Sequence, residues 1–165
     1  MRLTVVLGDI TEQPVDAVVT AANSSLRGGG GVDAAVHAAA GPQLVRASRA
    51  LAPCPAGQSV VTPAFDLHPV RWVIHTVGPI FRGDGNDAAT LASAYRSALV
   101  RADEVGATSV AFPSISTGVY GYPPEDAAAV SVSALRDAST AVTEVVLVAF
   151  SPLMRDLWTQ ALAAD

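Results

Sequence analysis

The most constraining stretch of the chain runs from Thr20 to Gly41, TAANSSLRGGGGVDAAVHAAAG. It follows the valine-rich run that starts at Val15, carries four consecutive glycines, Gly28 to Gly31, and passes directly into an alanine-rich segment of strong helix formers. A strand, a glycine loop and a helix start in that order suit an anionic ligand. The bare backbone lets a phosphate come close, and the first helical N–H groups have no partner and carry partial positive charge. A plain turn needs one or two glycines, and each costs roughly 0.5–1 kcal/mol against alanine in conformational freedom. Four in a row read as a ligand loop, bracketed by the polar side chains of Asn23 and Asp33.

Residues Gly29 to Ala34 also satisfy the G-x-G-x-x-A pattern, which raises a nicotinamide-dependent Rossmann enzyme as an alternative. That fingerprint belongs at the first strand-to-helix turn, with an acidic residue about 20 positions further on. Here it follows the second strand, and the position in question is Arg49 within a helical segment. The dinucleotide match is weak.

With 165 residues, half of them apolar, the expectation is one domain over residues 1–165 with a substantial core. No apolar run reaches the length of a membrane span, and Met1-Arg2-Leu3-Thr4 leads into a strand pattern instead of a signal-peptide core. A cytoplasmic monomer away from membranes is expected. The net charge of −5 argues against a grip on nucleic acid, which needs a basic face. All ten basic residues are arginines, so Schiff-base chemistry and a P-loop lysine clamp are excluded. The single Cys54 allows no disulfide and no cysteine metal site. No cofactor is called for.

Strand patterns fall at Leu3 to Leu7, Ala17 to Ala21, Ser59 to Ala64, Arg71 to Val77, Thr108 to Phe112 and Thr143 to Ala149. Helical patterns fall at Val32 to Ala40, Gln43 to Leu51, Asp87 to Glu104, Pro123 to about Ala138, and Pro152 to Ala163. The interleaving predicts a layered α/β fold. Val145 to Ala149 is apolar on successive residues, as a strand covered on both faces should be. A second polar loop, Pro113 to Tyr122, also leaves a strand and enters a helix, and the two loops are expected to converge on one crevice.

Asp9, just past the first strand, is either a ligand contact or a turn residue bonded to its own backbone. His37 lies i, i+4 from Asp33, too few groups for a metal, and reads as a helix-surface hydrogen bond. His75, inside an apolar strand, reads as a satisfied core residue. Ser114, Ser116 and Thr117 lack a G-x-S-x-G elbow and read as hydrogen-bond donors to phosphate. Tyr120 and Tyr122 read as loop aromatics for a sugar or base, or as cover for the core edge.

Gly8-Asp9-Ile10-Thr11, Ala21-Ala22-Asn23 with Gly28 to Asp33, Val73 to Pro79, and Phe112 to Pro123 together resemble a MacroD-type macrodomain, in order along nearly the whole chain. The resemblance implies a three-layer α/β/α sandwich with a central mixed six-stranded sheet and a cleft for ADP-ribose. It implies hydrolysis of ADP-ribose esters, with ADP-ribosylated proteins modified on acidic side chains and O-acetyl-ADP-ribose as substrates. It further assigns Asp9 to the adenine amino group, Ile10 to the adenosine pocket and Phe150 to the adenine surroundings. The diphosphate falls to the backbone of Gly31-Val32 and Ser116-Thr117-Gly118-Val119. Ala22 is among the substrate contacts, Tyr120 packs near the distal ribose, Asn23 holds its hydroxyls, and Asp33 orients or deprotonates the attacking water. Thr20 stands where the family usually has a second asparagine, and Ala34 where glycine is common. Because the loops alone suffice to bind, a module that recognises ADP-ribose without cleaving it is the competing reading.

Overall fold

A computed structural model describes residues 1–164. Six strands, β1 (Arg2–Leu7), β2 (Ala17–Ala22), β3 (Ser59–Pro63), β4 (Trp72–Val77), β5 (Ser109–Phe112) and β6 (Glu144–Ala149), form one sheet in the order β1-β6-β5-β2-β4-β3. All neighbours are parallel except the edge strand β3, which runs against β4 and places its proline at the strand end. The helices are α1 (Gly31–Ala40), α2 (Gln43–Arg49), α3 (Asp87–Glu104), α4 (Pro124–Asp137) and α5 (Pro152–Ala163). This is a mixed six-stranded sheet between two helical layers, and the expected strands and helices recur within a residue or two. The turn read just past the first strand, at Asp9, takes the form of a short 3-10 helix, Ile10–Glu12. Helix α2 stops before the expected Leu51 because the N–H groups of Leu51 and Ala52 bond three residues back, to Ser48 and Arg49, ahead of Pro53.

The period of two along each strand sorts neighbouring apolar residues to opposite faces. Val19, Ile74, Phe112, Val145 and Leu147 join Leu91, Tyr95, Leu99, Leu135 and Trp158 of α3, α4 and α5 in one buried cluster. Val18, Val73, Ala111, Val146 and Val148 join Val36, Ala40 and Leu44 of α1 and α2 in another. The successive apolar residues of β6 are therefore divided between two helical layers. Among the described residues no helix is long and apolar enough to cross a membrane.

One feature of the register prepares the site. β2 stays paired with β4 through Ala22 and Val77, but it pairs with β5 only at Ala17 and Val18. Past Val18 the two central strands part. Their connections also leave in opposite directions, β2 towards β4 and β5 towards β6, so the gap is a topological switch point, where open α/β sheets bind ligands.

Candidate functional site

The two polar loops meet at this gap. The first, residues 23–30, is pinned by a small apolar cluster of Ala22, Leu26, Cys54 and Val77, in which Leu26 is buried at a left-handed φ of 54°. Ser48 Oγ donates to the Leu26 carbonyl at 2.7 Å, and the Cys54 N–H donates to the Ser24 carbonyl at 2.9 Å. The glycine loop is thus anchored on its inner side and open on its outer side: a Cβ placed on Gly30 or Gly31 would meet nothing within 4 Å. Gly31 opens α1 at φ +60°, a conformation that glycine adopts without strain. Among the described residues no side chain caps this helix, so its first N–H groups stay available.

The second loop is held by Tyr95 of α3, which stacks on Phe112 and whose hydroxyl donates to the Pro113 carbonyl and accepts from the Ile115 N–H, both at 3.1 Å. Burial pushes the Tyr95 phenol well above its usual range, which keeps it protonated and able to serve both bonds. The carbonyls of Ser116, Gly118 and Tyr120 accept from Tyr122, Gly121 and Phe81. The N–H groups of Thr117, Gly118 and Val119 take no backbone partner among the described residues.

The expected role of the hydroxyls needs correction. Thr117 Oγ1 lies 2.9 Å from Ser114 Oγ, and Ser114 Oγ lies against Met154 Sδ of α5, so these two hydroxyls serve the loop itself. Ser116 is buried at φ 69°, its Oγ unpartnered and pressed against Gly78. What this loop offers outward is backbone. Tyr122 is also core cover: it is buried and packs edge-on against Phe81 at 5.0 Å, whereas Tyr120 remains partly exposed.

Asn23 and Asp33 approach each other across Gly29. A Cβ at Gly29 would stand 3.6 Å from Asn23 Nδ2 and 3.5 Å from Asp33 Oδ2, so the missing side chain keeps the space between amide and carboxylate clear. Asn23 Oδ1 accepts from Ser25 Oγ at 2.7 Å, while Nδ2 donates to the Gly28 carbonyl at 3.2 Å and retains a second hydrogen. Asp33 is buried, and Thr20 Oγ1, itself fully buried, donates to its Oδ1 at 2.8 Å. His37 Nε2 lies 3.4 Å from the same oxygen. The expected surface position of His37 is corrected: its side chain is only 15% exposed, tucked beneath Gly28. Burial raises the Asp33 carboxyl above its ordinary value, and the Thr20 hydroxyl, the His37 charge and the Gly29 N–H pull the other way. Oδ1 is fixed by the protein, and Oδ2 lies beside Gly29.

His75 is a satisfied core residue, its Nε2 2.9 Å from Thr62 Oγ1. Burial, with His37 nearby, pushes its pKa down to about 3. The unfolded chain therefore binds a proton below about pH 6.5 that the folded chain refuses, and stability falls as pH drops, by about 1.4 kcal/mol per unit. The raised Asp33 value works in the opposite sense at the acid end. His75→Asn, which cannot titrate, is expected to lose about 2 kcal/mol less than wild type between pH 7 and pH 5 in urea unfolding.

The remaining expected residues lie along the same sheet edge. Asp9 is exposed and its Oδ1 accepts from the Thr11 N–H and Oγ1 at 2.8 and 2.6 Å, the turn arrangement, and Ile10 behind it is buried. Phe150, just past β6, is 88% exposed and Val119 is fully so. Ala34 is exposed beyond Asp33. Among the described residues no three His, Cys, Asp or Glu side chains gather as a metal would need. Reading the sequence missed Thr20 as a partner of Asp33 and Gly78 as the point where the β4 loop meets the second loop. Thr20 carried one signal, a hydroxyl inside an otherwise apolar strand end.

Residues 19–131, which run from within β2 through both loops into α4, match the sequence profile of the Macro domain. The chain belongs to the Macro domain family. The macrodomain is 50% identical over 155 residues to a Macro domain-containing protein of Ralstonia nicotianae, covering 93% of this chain and 90% of that one. It is 49% identical over 154 residues to one of Streptomyces coelicolor, covering 90% of each. Among solved structures it resembles the Oceanobacillus iheyensis macrodomain with ADP at TM-score 0.91 and 39% identity, covering 96% of this chain and 88% of that one. The Trypanosoma brucei macrodomain in complex with ADP-ribose aligns at TM-score 0.88 and 33% identity, covering 97% of this macrodomain and 68% of that chain.

Proposed function

We propose that this macrodomain is of the MacroD type, a single domain that binds ADP-ribose and hydrolyses its esters, releasing mono-ADP-ribose from acidic side chains of proteins and acetate from O-acetyl-ADP-ribose. The observation that carries the reading is the buried Asp33 carboxylate, held on one oxygen by Thr20 and facing Asn23 with the other. The solved relatives with ADP and ADP-ribose support the choice of ligand. So does the loop chemistry: with no lysine and a net charge of −5, the chain must hold a diphosphate largely by backbone N–H groups. Gly30 and Gly31 meet no internal packing demand that would exclude a side chain, which fits glycine kept for close ligand approach.

In this reading the diphosphate lies between the N–H groups of Gly31-Val32 and those of Ser116 to Val119. Asp9, Ile10 and Phe150 take the adenosine end. The distal ribose lies by Ala22, Asn23 and Tyr120. A water held by Asp33 Oδ2 attacks the ester, and the products are ADP-ribose and the free carboxylic acid. A carboxylate whose burial raises its pKa is a better base than an exposed one, provided enough hydrogen bonds keep it ionised at neutral pH.

Acetate release from O-acetyl-ADP-ribose, measured beside ADP-ribose binding by calorimetry, tests the proposal. Tight binding with no acetate released would leave a reader module, and heat stabilisation by NAD but not by ADP-ribose would return the Rossmann reading. Thr20→Val removes the donor to Oδ1 at nearly constant volume. Its expected effect is a further rise of the Asp33 pKa, so the acid limb of the pH–rate profile moves to higher pH, with Thr20→Ser restoring it. ADP-ribose affinity should stay unchanged.

A further inference from the structure

Beyond the two loops, the sheet edge continues to β4, and there a hollow of about 350 Å³ opens, lined by Ser24, Gly78, Ile80, Arg82, Asn86 and Tyr120 among others. Its position follows from strand order. The adenosine residues Asp9 and Phe150 follow β1 and β6, and the two loops follow β5 and β2. β4 comes next, so the hollow is in line with the proposed ligand, on the side away from adenine. Ser24 and Tyr120 are common to the hollow and to the loops that flank Asn23.

The hollow has a built wall. Asp87, buried at the start of α3, accepts from the Gly83 N–H at 2.8 Å and from the Arg82 N–H at 3.2 Å. The Phe81 N–H donates to the Tyr120 carbonyl at 2.9 Å, and Phe81 packs on Tyr122, so this wall is tied to the second loop. On that frame stand an exposed apolar side chain, Ile80 at 52%, and the exposed Arg82, with no carboxylate in ion-pair range of it among the described residues.

Resting on the ester-hydrolase reading, we propose that this hollow seats the polypeptide segment that carries the ester-linked ADP-ribose. Ser24, the neighbour of Asn23, and Tyr120, assigned beside the distal ribose, both line the hollow, so a group joined to that ribose has the hollow next to it. An acetyl group is far too small for 350 Å³, a volume in the range of pockets that enclose whole ligands. A further ADP-ribose would bring two phosphates beside Asp84 and Asp87 with only Arg82 to offset them. A peptide needs what the wall offers: an apolar contact, an arginine for carbonyls or acidic side chains, and amide and hydroxyl partners at Asn86 and Ser24.

The test is calorimetry on wild type, Ile80→Ser and Arg82→Ala, all exposed positions outside the loops that carry the proposed chemistry. The probes are free ADP-ribose, an ADP-ribose dimer, and ADP-ribose joined through a non-hydrolysable amide to a glutamine within a short peptide. The expected result is a conjugate bound about tenfold more tightly than ADP-ribose by wild type, with the gain reduced in each variant and free ADP-ribose bound equally by all three. A conjugate bound no better than ADP-ribose, a dimer bound better than the conjugate, or variants that weaken both ligands in parallel would overturn the proposal. Absence of ADP-ribose binding in wild type would instead overturn the reading of the cleft, and this inference with it. The outcome does not depend on turnover, so a loss of hydrolysis and a loss of the peptide site are separately visible.

Discussion

Asp33→Asn is expected to lower the rate of ester hydrolysis by about 10²–10⁴, the range for a positioned general base, and to leave ADP-ribose affinity within a few-fold of wild type. The amide preserves volume and can still accept from Thr20 Oγ1, which at present donates to Oδ1 at 2.8 Å. It removes the charge, and with it the ability to polarise or take a proton from water at Oδ2. Because burial makes this carboxylate more basic than an exposed one, wild-type activity should fall as pH drops through its raised pKa. The residual activity of Asp33→Asn should lack that limb. Single-turnover release of ADP-ribose from a glutamate-modified protein, with calorimetry on the same preparations, measures both quantities. Equal rates would remove Asp33 from the chemistry, and a parallel loss of binding would make it a ligand-holding residue instead.

Gly78→Ala is expected to damage both stability and binding. A Cβ there would stand 2.1 Å from Ser116 Oγ and 2.5 Å from Ile115 Cγ2. Neither neighbour can step aside: Ile115 is fully buried and Ser116 is buried with its backbone at φ 69°. The second loop must shift as a unit, at a cost of about 1–3 kcal/mol for an overpacked contact. For a chain of this length that lowers Tm by roughly 2–4 °C per kcal/mol. The moved segment includes the N–H groups assigned to the diphosphate, so ADP-ribose affinity should fall by about tenfold or more, as for loss of a charge-assisted hydrogen bond. Adding Ser116→Gly, which removes the nearer atom and suits the positive φ, should recover part of both losses. An unchanged Tm and affinity in Gly78→Ala would show that the loop is softer than its packing implies.

These two residues also mark what the sequence could and could not convey. Asp33 and Asn23 were legible because they bracket a glycine run that no ordinary turn requires, and the strand and helix patterns around them have clear periods. The six strands and five main helices followed from the same periodicity. Pro63 favoured either a strand end or an edge position for its strand, and β3 has both. Gly78 was not legible, since a glycine before Pro79 at a strand end reads as a turn until the opposite loop is seen against it. Nor was the inward hydroxyl of Ser114, because its partner Met154 lies 40 residues away. The i, i+4 spacing already paired His37 with Asp33 on the helix surface; the loop folded over it, with Gly28 against its ring, is what takes that pair off the surface. Local pattern carries element type and the glycine loop; close approach between distant segments decides which polar groups are left without an internal partner.

The most direct measurement is a time course of wild-type macrodomain with a protein mono-ADP-ribosylated on glutamate, reading free ADP-ribose and the unmodified protein together. The expected result is stoichiometric appearance of both, at a rate that falls as pH drops through the raised Asp33 pKa. A modified protein that stays intact while the same preparation binds ADP-ribose tightly would contradict the hydrolase assignment.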